Sequence, residues 1–172
     1  MIEIPPAVVA TMRTHAFAGY PGECCGLLFA PVSSDQVSRA LCMENLQDRL
    51  HALDPVEHPR TSRNGFQLNA RKMQQAIEAA TTDGERLVAI FHSHIDCGAY
   101  FSQEDSDMAA PPPERVPNDP TLWHVVMACW PDGLREARAF RWDGRAFVGA
   151  ELPGFTHHQP LPVTAQPMPV KQ

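Results

Sequence analysis

Apolar and polar positions in the first part of the chain predict one helix followed by two strands. Apolar residues recur at helical spacing after Pro5-Pro6, and Gly19 is predicted to end this helix. The run from Cys24 to Ala30 is short, apolar and bounded by turn-forming residues, which is typical of a buried strand. A second strand is predicted over residues 37–46.

The middle of the chain is more polar and predicts a loop, a short strand and a strong helix. Residues 47–64 are polar and contain two prolines, so they are predicted to form a long loop. Residues 66–68 predict a short strand. Residues 70–80 are rich in Ala, Gln, Lys and Met, with Met73 and Ile77 on one face, and they predict the strongest helix of the chain.

Apolar runs return in the second half of the chain. A central strand is predicted over residues 87–91 and leads directly into His92-Ser93-His94. A short acidic helix is predicted to begin at Ser102. The last predicted strands are 123–130 and a hairpin of 134–142 with 145–151.

The alternation of strands and helices favours a layered α/β or α+β domain. The whole chain has 172 residues, which suits one domain, and residues 1–151 are assigned to it. From residue 152 to residue 172 the sequence is proline-rich and has no periodicity, which predicts a disordered tail.

Charge and cysteine content narrow the classes of partner. The net charge is −6, which argues against nucleic-acid and anionic-membrane partners because both reward a cationic surface. Five cysteines without framework spacing do not indicate a disulfide scaffold. The first residues lack the pattern of a signal peptide, and no run approaches the roughly 20 apolar residues of a membrane span. A cytoplasmic protein is expected.

Histidine and aspartate side chains follow the central strand at a spacing that suits a metal. Side chains two apart on a strand share a face, so His92 and His94 are predicted to present two imidazoles side by side. On a helix that begins at Ser102, Asp105 lies in the first turn and points back towards the loop. Two imidazoles and a carboxylate with an open fourth position are typical of catalytic zinc. We expect these three residues to hold one Zn²⁺ per chain.

Each part of this pattern has an ordinary explanation by itself. Ser102-x-x-Asp105 is a common helix-capping pattern, and strand histidines are often structural or surface residues. The complete spacing should arise by chance in about one in a thousand chains of this composition. The combination therefore favours the metal site.

A carboxylate before the first apolar strand is a candidate proton carrier. Glu23 is unexpected at this position unless it faces solvent or a site. Beside a metal, such a group can take a proton from water and deliver it to a leaving amine. On spacing alone, Glu104 and Asp107 are rivals for this role.

The combined pattern resembles the JAMM (MPN+) metalloprotease family. The residues that carry this resemblance are His92-Ser93-His94, then Ser102-Gln103-Glu104-Asp105 after seven residues, and the upstream Gly22-Glu23-Cys24-Cys25-Gly26. The order of elements also matches from about Ile4 to Glu151. Two departures are Ile95 and Phe101, where many members have proline, and they concern the shape of the substrate groove.

The resemblance implies a fold, a site and an activity. The implied fold is cytidine-deaminase-like, a curved mixed sheet flanked by helices. The implied site has zinc on His92, His94 and Asp105, Glu23 as general base and acid, and Ser102 as a hydrogen-bond donor to the developing oxyanion. The implied activity is cleavage of peptide or isopeptide bonds after the C-terminal Gly-Gly of ubiquitin-like or sulfur-carrier proteins.

Three alternatives from other functional classes remain. A non-catalytic binding scaffold of the same fold is disfavoured by the intact ligand pattern. A DNA-repair-associated relative is disfavoured by the acidic charge and the lack of a basic array. A nucleoside deaminase is disfavoured more firmly, because its H-x-E and P-C-x-x-C signature is absent.

Overall fold

A six-stranded mixed sheet organises the protein, and the computed structural model describes residues 1–155. The helices are α1 (Pro6–Gly19), α2 (Gln47–Leu53), α3 (Ala70–Thr82) and α4 (Gln103–Ala109). The strands are β1 (Cys25–Pro31), β2 (Arg39–Met43), β3 (Glu85–Ile95), β4 (Trp123–Trp130), β5 (Gly133–Trp142) and β6 (Phe147–Glu151).

The strand order in the sheet is β2-β1-β3-β4-β5-β6. Neighbouring strands are antiparallel except for β3 and β4, which run parallel. A parallel pair needs a crossover connection, and here the crossover is the segment between Ile95 and Trp123, which contains α4. The central strand β3 and this crossover together carry the candidate site.

Apolar side chains pack on both faces of the sheet, as expected for a sheet covered by helices. On one face Met12 and Ala16 of α1 pack against a core that includes Leu28 and Phe91. On the other face α3 contributes Ala80 to a cluster with the alternate residues of β1. A third cluster lies under the loop after β3 and contains Ala99, Val126, Ala128 and Phe140. The fold is therefore the layered α+β domain that the alternation of elements predicted.

Most predicted elements are confirmed, but the long loop predicted over 47–64 is wrong in its first part. Residues Gln47–Leu53 form α2. The Gln47 N–H donates to the Asn45 side-chain oxygen at 3.0 Å, which organises the start of this helix. The two prolines that suggested a loop lie beyond its end, so they do not interfere.

Two strand predictions also need correction. The second strand is shorter than residues 37–46, because β2 covers only Arg39–Met43. Residues 66–68 form no strand, although Phe66 and Leu68 are buried. The Gln67 N–H donates to the Asn45 side chain, and the Gln67 carbonyl accepts from Leu46 N–H. The Gln67 backbone is therefore hydrogen-bonded to the turn at residues 45–46 and not to a neighbouring strand.

The last described residues continue the core. Leu152 and Phe155, which the sequence placed in the tail, are buried in the main apolar cluster. The rest of the predicted tail, residues 156–172, lies outside the described residues, and the division of the chain stays a prediction. Within residues 1–155, none of the helices combines the length and apolar character that crossing a bilayer requires.

Candidate metal centre

Two imidazoles meet at the end of β3. The strand continues to Ile95, so His92 and His94 lie on the same face, as the spacing predicted. Their Nε2 atoms are 3.2 Å apart, and both side chains are buried. His94 Nδ1 lies 3.0 Å from the Gly98 carbonyl oxygen, which can only accept, so Nδ1 carries the hydrogen. The Nε2 lone pair of a neutral His94 is therefore available to a ligand.

Asp105 completes the group from the first turn of α4. Ser102 caps this helix, and its Oγ accepts a hydrogen bond from Asp105 N–H at 3.1 Å. In return the Asp105 Oδ2 accepts from Ser102 N–H at 2.8 Å and from Ser102 Oγ at 2.7 Å. This capping box turns the carboxylate towards the histidines, with Oδ1 lying 3.3 Å from His92 Nε2.

The three side chains have the geometry and chemistry of a metal site. One donor atom from each of His92, His94 and Asp105 lies within 4.8 Å of the others, and all three residues are buried. Among residues 1–155 this is the only such group of three. Two imidazole nitrogens and one carboxylate oxygen are a ligand set that catalytic zinc uses with its fourth position open. The residues present therefore fit the implied metal.

Burial and mutual contact shift the pKa values within the group. Burial by itself would raise the pKa of Asp105, but its contacts with His92 and His94 outweigh burial and lower that pKa. Burial lowers the pKa of His92. Burial also opposes protonation of His94, yet the contact with Asp105 and the charge of Glu23 together raise its pKa. Asp105 is therefore ionised and able to serve as an anionic ligand.

Glu23 faces this group from the segment just before the neighbouring strand β1. The antiparallel register pairs Cys25 with His92, so its continuation brings Glu23 opposite His94. Ser93 points to the other face and holds this pairing, because its N–H donates to Cys24 O at 3.0 Å and its Oγ accepts from Cys24 N–H at 2.9 Å. The Glu23 side chain is only 8% exposed. Burial, reinforced by the charge of Asp105, raises its pKa to about 8 against opposing effects of His94 and Arg60.

A cavity of about 410 Å³ opens above the metal-binding group. Aromatic rings form two of its walls: Phe66 stacks on His92 with ring centroids 4.4 Å apart, and Tyr100 meets His94 edge-on at 4.7 Å. Arg60 pairs with Glu104 across the cavity mouth. The complete lining is Glu23, Gln47, Arg60, Arg63, Asn64, Gly65, Phe66, Gln67, His94, Ile95, Cys97, Tyr100, Ser102, Glu104, Asp105 and Met108.

Comparison with known proteins decides the family. The model of the family described as prokaryotic homologs of the JAB domain matches residues 5–143. This chain belongs to the prokaryotic JAB family. The family membership that the histidine, serine and aspartate spacing suggested is therefore confirmed.

Two curated relatives of this JAB-family protein are 30% identical to it. The tail tip assembly protein K of Escherichia phage N15 aligns over 127 residues, which are 73% of this chain and 40% of the phage protein. The desampylase of Pyrococcus furiosus aligns over 104 residues, 60% of this chain and 59% of the desampylase. The JAB chain thus spans about half the length of the curated relatives it matches.

Two solved structures share the fold of this JAB domain. A protein from Desulfitobacterium hafniense has a TM-score of 0.65 and 23% identity, covering 88% of this chain and 90% of that protein. A protein from Salinibacter ruber has a TM-score of 0.57 and 20% identity, covering 97% of this chain and 95% of that protein. These likenesses concern the fold alone, and they agree with the mixed sheet flanked by helices that the resemblance implied.

All five predicted site residues of this JAB domain come together. Glu23, His94, Ser102 and Asp105 line the cavity, and His92 is buried beside them. Their catalytic roles stay predictions. The geometry separates Glu23 from its two rivals: Glu104 pairs with Arg60, and Asp107 pairs with Arg115 at 2.5 Å.

Several residues around the site were missed by sequence reasoning. Phe66 lies in the stretch predicted as a short strand, and nothing in that pattern marked it as a wall of the cavity. Asn45 was also missed, although its side-chain amide holds Glu23 O and Gly65 O at 3.0 Å each. The turn propensity of asparagine was the one available signal for it.

Proposed function

We propose that this JAB domain is a zinc-dependent peptidase or isopeptidase. Its proposed reaction is hydrolysis of the bond after the C-terminal Gly-Gly of a ubiquitin-like or sulfur-carrier protein. The observation that carries the proposal is the buried group of His92, His94 and Asp105 beneath a cavity whose wall includes Glu23. The 30% sequence identity to the Pyrococcus furiosus desampylase supports this class of hydrolase.

The proposed reaction assigns a proton transfer to Glu23. Zinc bound at this group would supply a water activated for attack on a carbonyl. The Glu23 carboxylate would accept the proton of the attacking water and later deliver it to the leaving amine. Burial raises the pKa of this carboxyl in the metal-free site, and a pKa shifted towards neutrality allows the group both to take up and to release a proton.

Ser102 is proposed to stabilise the developing oxyanion. Its hydroxyl hydrogen points to Asp105 Oδ2 at 2.7 Å. To donate to a substrate oxygen, this hydroxyl must turn away from Asp105, which still accepts the Ser102 N–H at 2.8 Å. The capping box therefore keeps the carboxylate in place while the hydroxyl is used elsewhere.

The walls of the cavity favour a substrate tail without side chains. Phe66 and Tyr100 stand against the two imidazoles and narrow the approach to the metal-binding group. A chain that lacks Cβ atoms can pass such a slot in extended form and bring its carbonyl close to the group. Glycine at the two residues before the scissile bond meets this requirement.

A panel of substrates tests the Gly-Gly specificity. Ubiquitin-like proteins ending in Gly-Gly are joined to varied amines and assayed by mass spectrometry with and without a chelator. Changing the penultimate glycine to alanine should lower kcat/KM at least roughly tenfold, or about 1.4 kcal/mol of transition-state binding. Changing the leaving group should matter less.

The control for this panel is Glu23→Gln, which keeps the shape of the side chain and removes its basicity. This variant should retain zinc and lose about 10²–10⁴ in rate. If the alanine tail is cut as well as the native tail, the Gly-Gly specificity is wrong. If the wild-type enzyme is unaffected by chelation, the metal mechanism is wrong.

A second candidate function is peptide-bond cleavage in phage tail assembly. The observation that favours it is the alignment with the tail tip assembly protein K over 73% of this chain. The same zinc site would serve, but the substrate would be a tail-tip protein. Cleavage of a tail-tip protein by the wild type, and not by Glu23→Gln, would support this candidate over the first.

A further inference from the structure

Glu136 shares a row of the sheet with His94. His94 on β3 is in register with Ala128 on β4, and Ala128 is in register with Glu136 on β5. Paired residues on neighbouring strands point to the same face, so Glu136 projects from the face that carries the imidazole. The small side chain of Ala128 between them leaves room for the loop after β3 to pack onto the sheet.

This loop is held by hydrogen bonds at two successive residues. The Gly98 carbonyl accepts from His94 Nδ1 at 3.0 Å. The next residue, Ala99, donates its N–H to Glu136 Oε1 at 2.8 Å and is 2% exposed. A Cβ atom on Gly98 would lie 3.1 Å from Glu136 Oε1, a tight contact, so the loop packs closely against this carboxylate. The peptide between Gly98 and Ala99 is thus held by Glu136 through its N–H, while its carbonyl also accepts from Tyr100 N–H at 3.1 Å.

We propose that Glu136 is a positioning residue for the metal site. By holding Ala99 N–H it fixes the Gly98 carbonyl, and that carbonyl sets the ring orientation of His94 and keeps the hydrogen on Nδ1. Partners of the second nitrogen of a metal-ligating histidine typically account for about 10–100-fold in metal affinity. Glu136 is not among the residues that line the cavity, so its contribution runs through the loop and not through substrate. The inference rests on the proposed zinc site.

Three variants test this role in the full chain. Glu136→Ala removes the acceptor for Ala99 N–H, whereas Glu136→Gln retains an amide oxygen that can accept it. The matched control is Glu85→Ala, which removes a partly exposed ion pair with Arg39 at the far end of β3, where Arg39 Nε lies 2.7 Å from Glu85 Oε2. That end lies roughly 30 Å from His94 by strand rise.

The readouts are Zn²⁺ affinity, measured by competition with a chromophoric chelator, and the visible spectrum of the Co²⁺-loaded protein. Glu136→Ala should weaken Zn²⁺ binding about 10–100-fold and alter the Co²⁺ bands. The Zn²⁺ affinity of Glu136→Gln should stay within a few-fold of the wild-type value. Glu85→Ala should match the wild type in both readouts. Thermal melting shows whether each variant is folded.

Each contrary result has its own meaning. A folded Glu136→Ala with wild-type affinity and spectrum overturns the positioning role and leaves the proposed zinc site intact. A Glu136→Gln as weak as Glu136→Ala also overturns it, because the retained acceptor would then be irrelevant. An equal loss in Glu85→Ala would assign the effect to general destabilisation. A wild-type chain that binds no Zn²⁺ overturns both the zinc site and this inference.

Discussion

At the residue scale, the site contains several polar and charged side chains that are buried, and burying such groups is energetically unfavourable. A buried polar or charged group destabilises a fold unless it is paired. His92, His94 and Asp105 pair with one another, whereas Glu23 is buried with its pKa raised to about 8. The two kinds of group therefore lead to different predictions when each is changed.

The first prediction concerns the three proposed ligands. Protein purified without chelator should contain about one zinc per chain, as expected of a three-ligand site with one open position. His92→Ala, His94→Ala and Asp105→Ala should each lose most of the metal, because two remaining ligands hold zinc poorly. Elemental analysis measures the occupancy. Full occupancy in all three variants would exclude this group as the site.

The second prediction concerns Glu23 in metal-free protein. The folded state keeps the Glu23 proton up to about pH 8, whereas the unfolded chain releases it above a pKa of 4.5. Stability is therefore lost as pH rises between these two values. Glu23→Gln removes this loss, so it should be more stable than the wild type by a few kcal/mol above the folded pKa and by much less near the unfolded pKa.

Chemical denaturation in chelator at about pH 5.5 and about pH 8.5 checks the sign. The matched control is Glu104→Gln. The hydrogen bond from Arg60 lowers the pKa of Glu104, so removing that charge should give no stabilisation at the higher pH. A Glu23→Gln variant less stable than the wild type at the higher pH would contradict the assignment of an unfavourably buried carboxylate.

At the scale of elements, Asn45 connects three parts of the chain near the site. Its side-chain nitrogen donates to Glu23 O and Gly65 O, and its side-chain oxygen accepts from Gln47 N–H and Gln67 N–H. It thus joins the residue before β1, the start of α2 and the segment that carries Phe66. Its hydrogen bonds hold the backbone around residues 66–68, which form no strand.

The third prediction follows from these four hydrogen bonds. Asn45→Ala should lower the free energy of unfolding by about 2–4 kcal/mol, since each bond contributes about 0.5–1.5 kcal/mol and removal leaves backbone groups unpaired. Asn45→Asp keeps the two acceptor contacts and loses the two donor contacts, so its loss should be intermediate. Urea denaturation measures both. Equal stability of Asn45→Ala and wild type would show that these segments are held by packing alone.

At the scale of the whole molecule, the elements with strong periodicity could be predicted and the polar connections could not. The helix Ala70–Thr82 and the strand Glu85–Ile95 were predicted from apolar spacing, over residues 70–80 and 87–91. The ligand group was also predictable, because His92 and His94 share a strand face and Asp105 lies in a helix cap. The cavity wall at Phe66 was not, since Phe66 is placed by its contact with His92, which is distant from it in sequence.

The parallel pairing of β3 with β4 has a consequence for where this protein can accept extra sequence. The first half of the crossover, through α4, joins the proposed ligands His94 and Asp105 and is held by hydrogen bonds at Gly98, Ala99 and Ser102. The second half, residues 111–122, is largely exposed. Lengthening a surface connection costs little, about 0.6 kcal/mol for each doubling of its length. The first half of the crossover is therefore fixed by hydrogen bonds, whereas the second half can be lengthened.

The fourth prediction follows from this division. Inserting a short Gly-Ser segment after Glu114 should leave zinc content and cleavage near wild type, whereas the same insertion after Gly98 should abolish zinc binding. Elemental analysis and melting temperature distinguish loss of the site from loss of the fold. If both insertions leave zinc binding unchanged, the metal-binding group does not depend on the length of the first half of the crossover. If the prediction holds, a further domain could be inserted in the second half of the crossover while the metal site keeps its geometry.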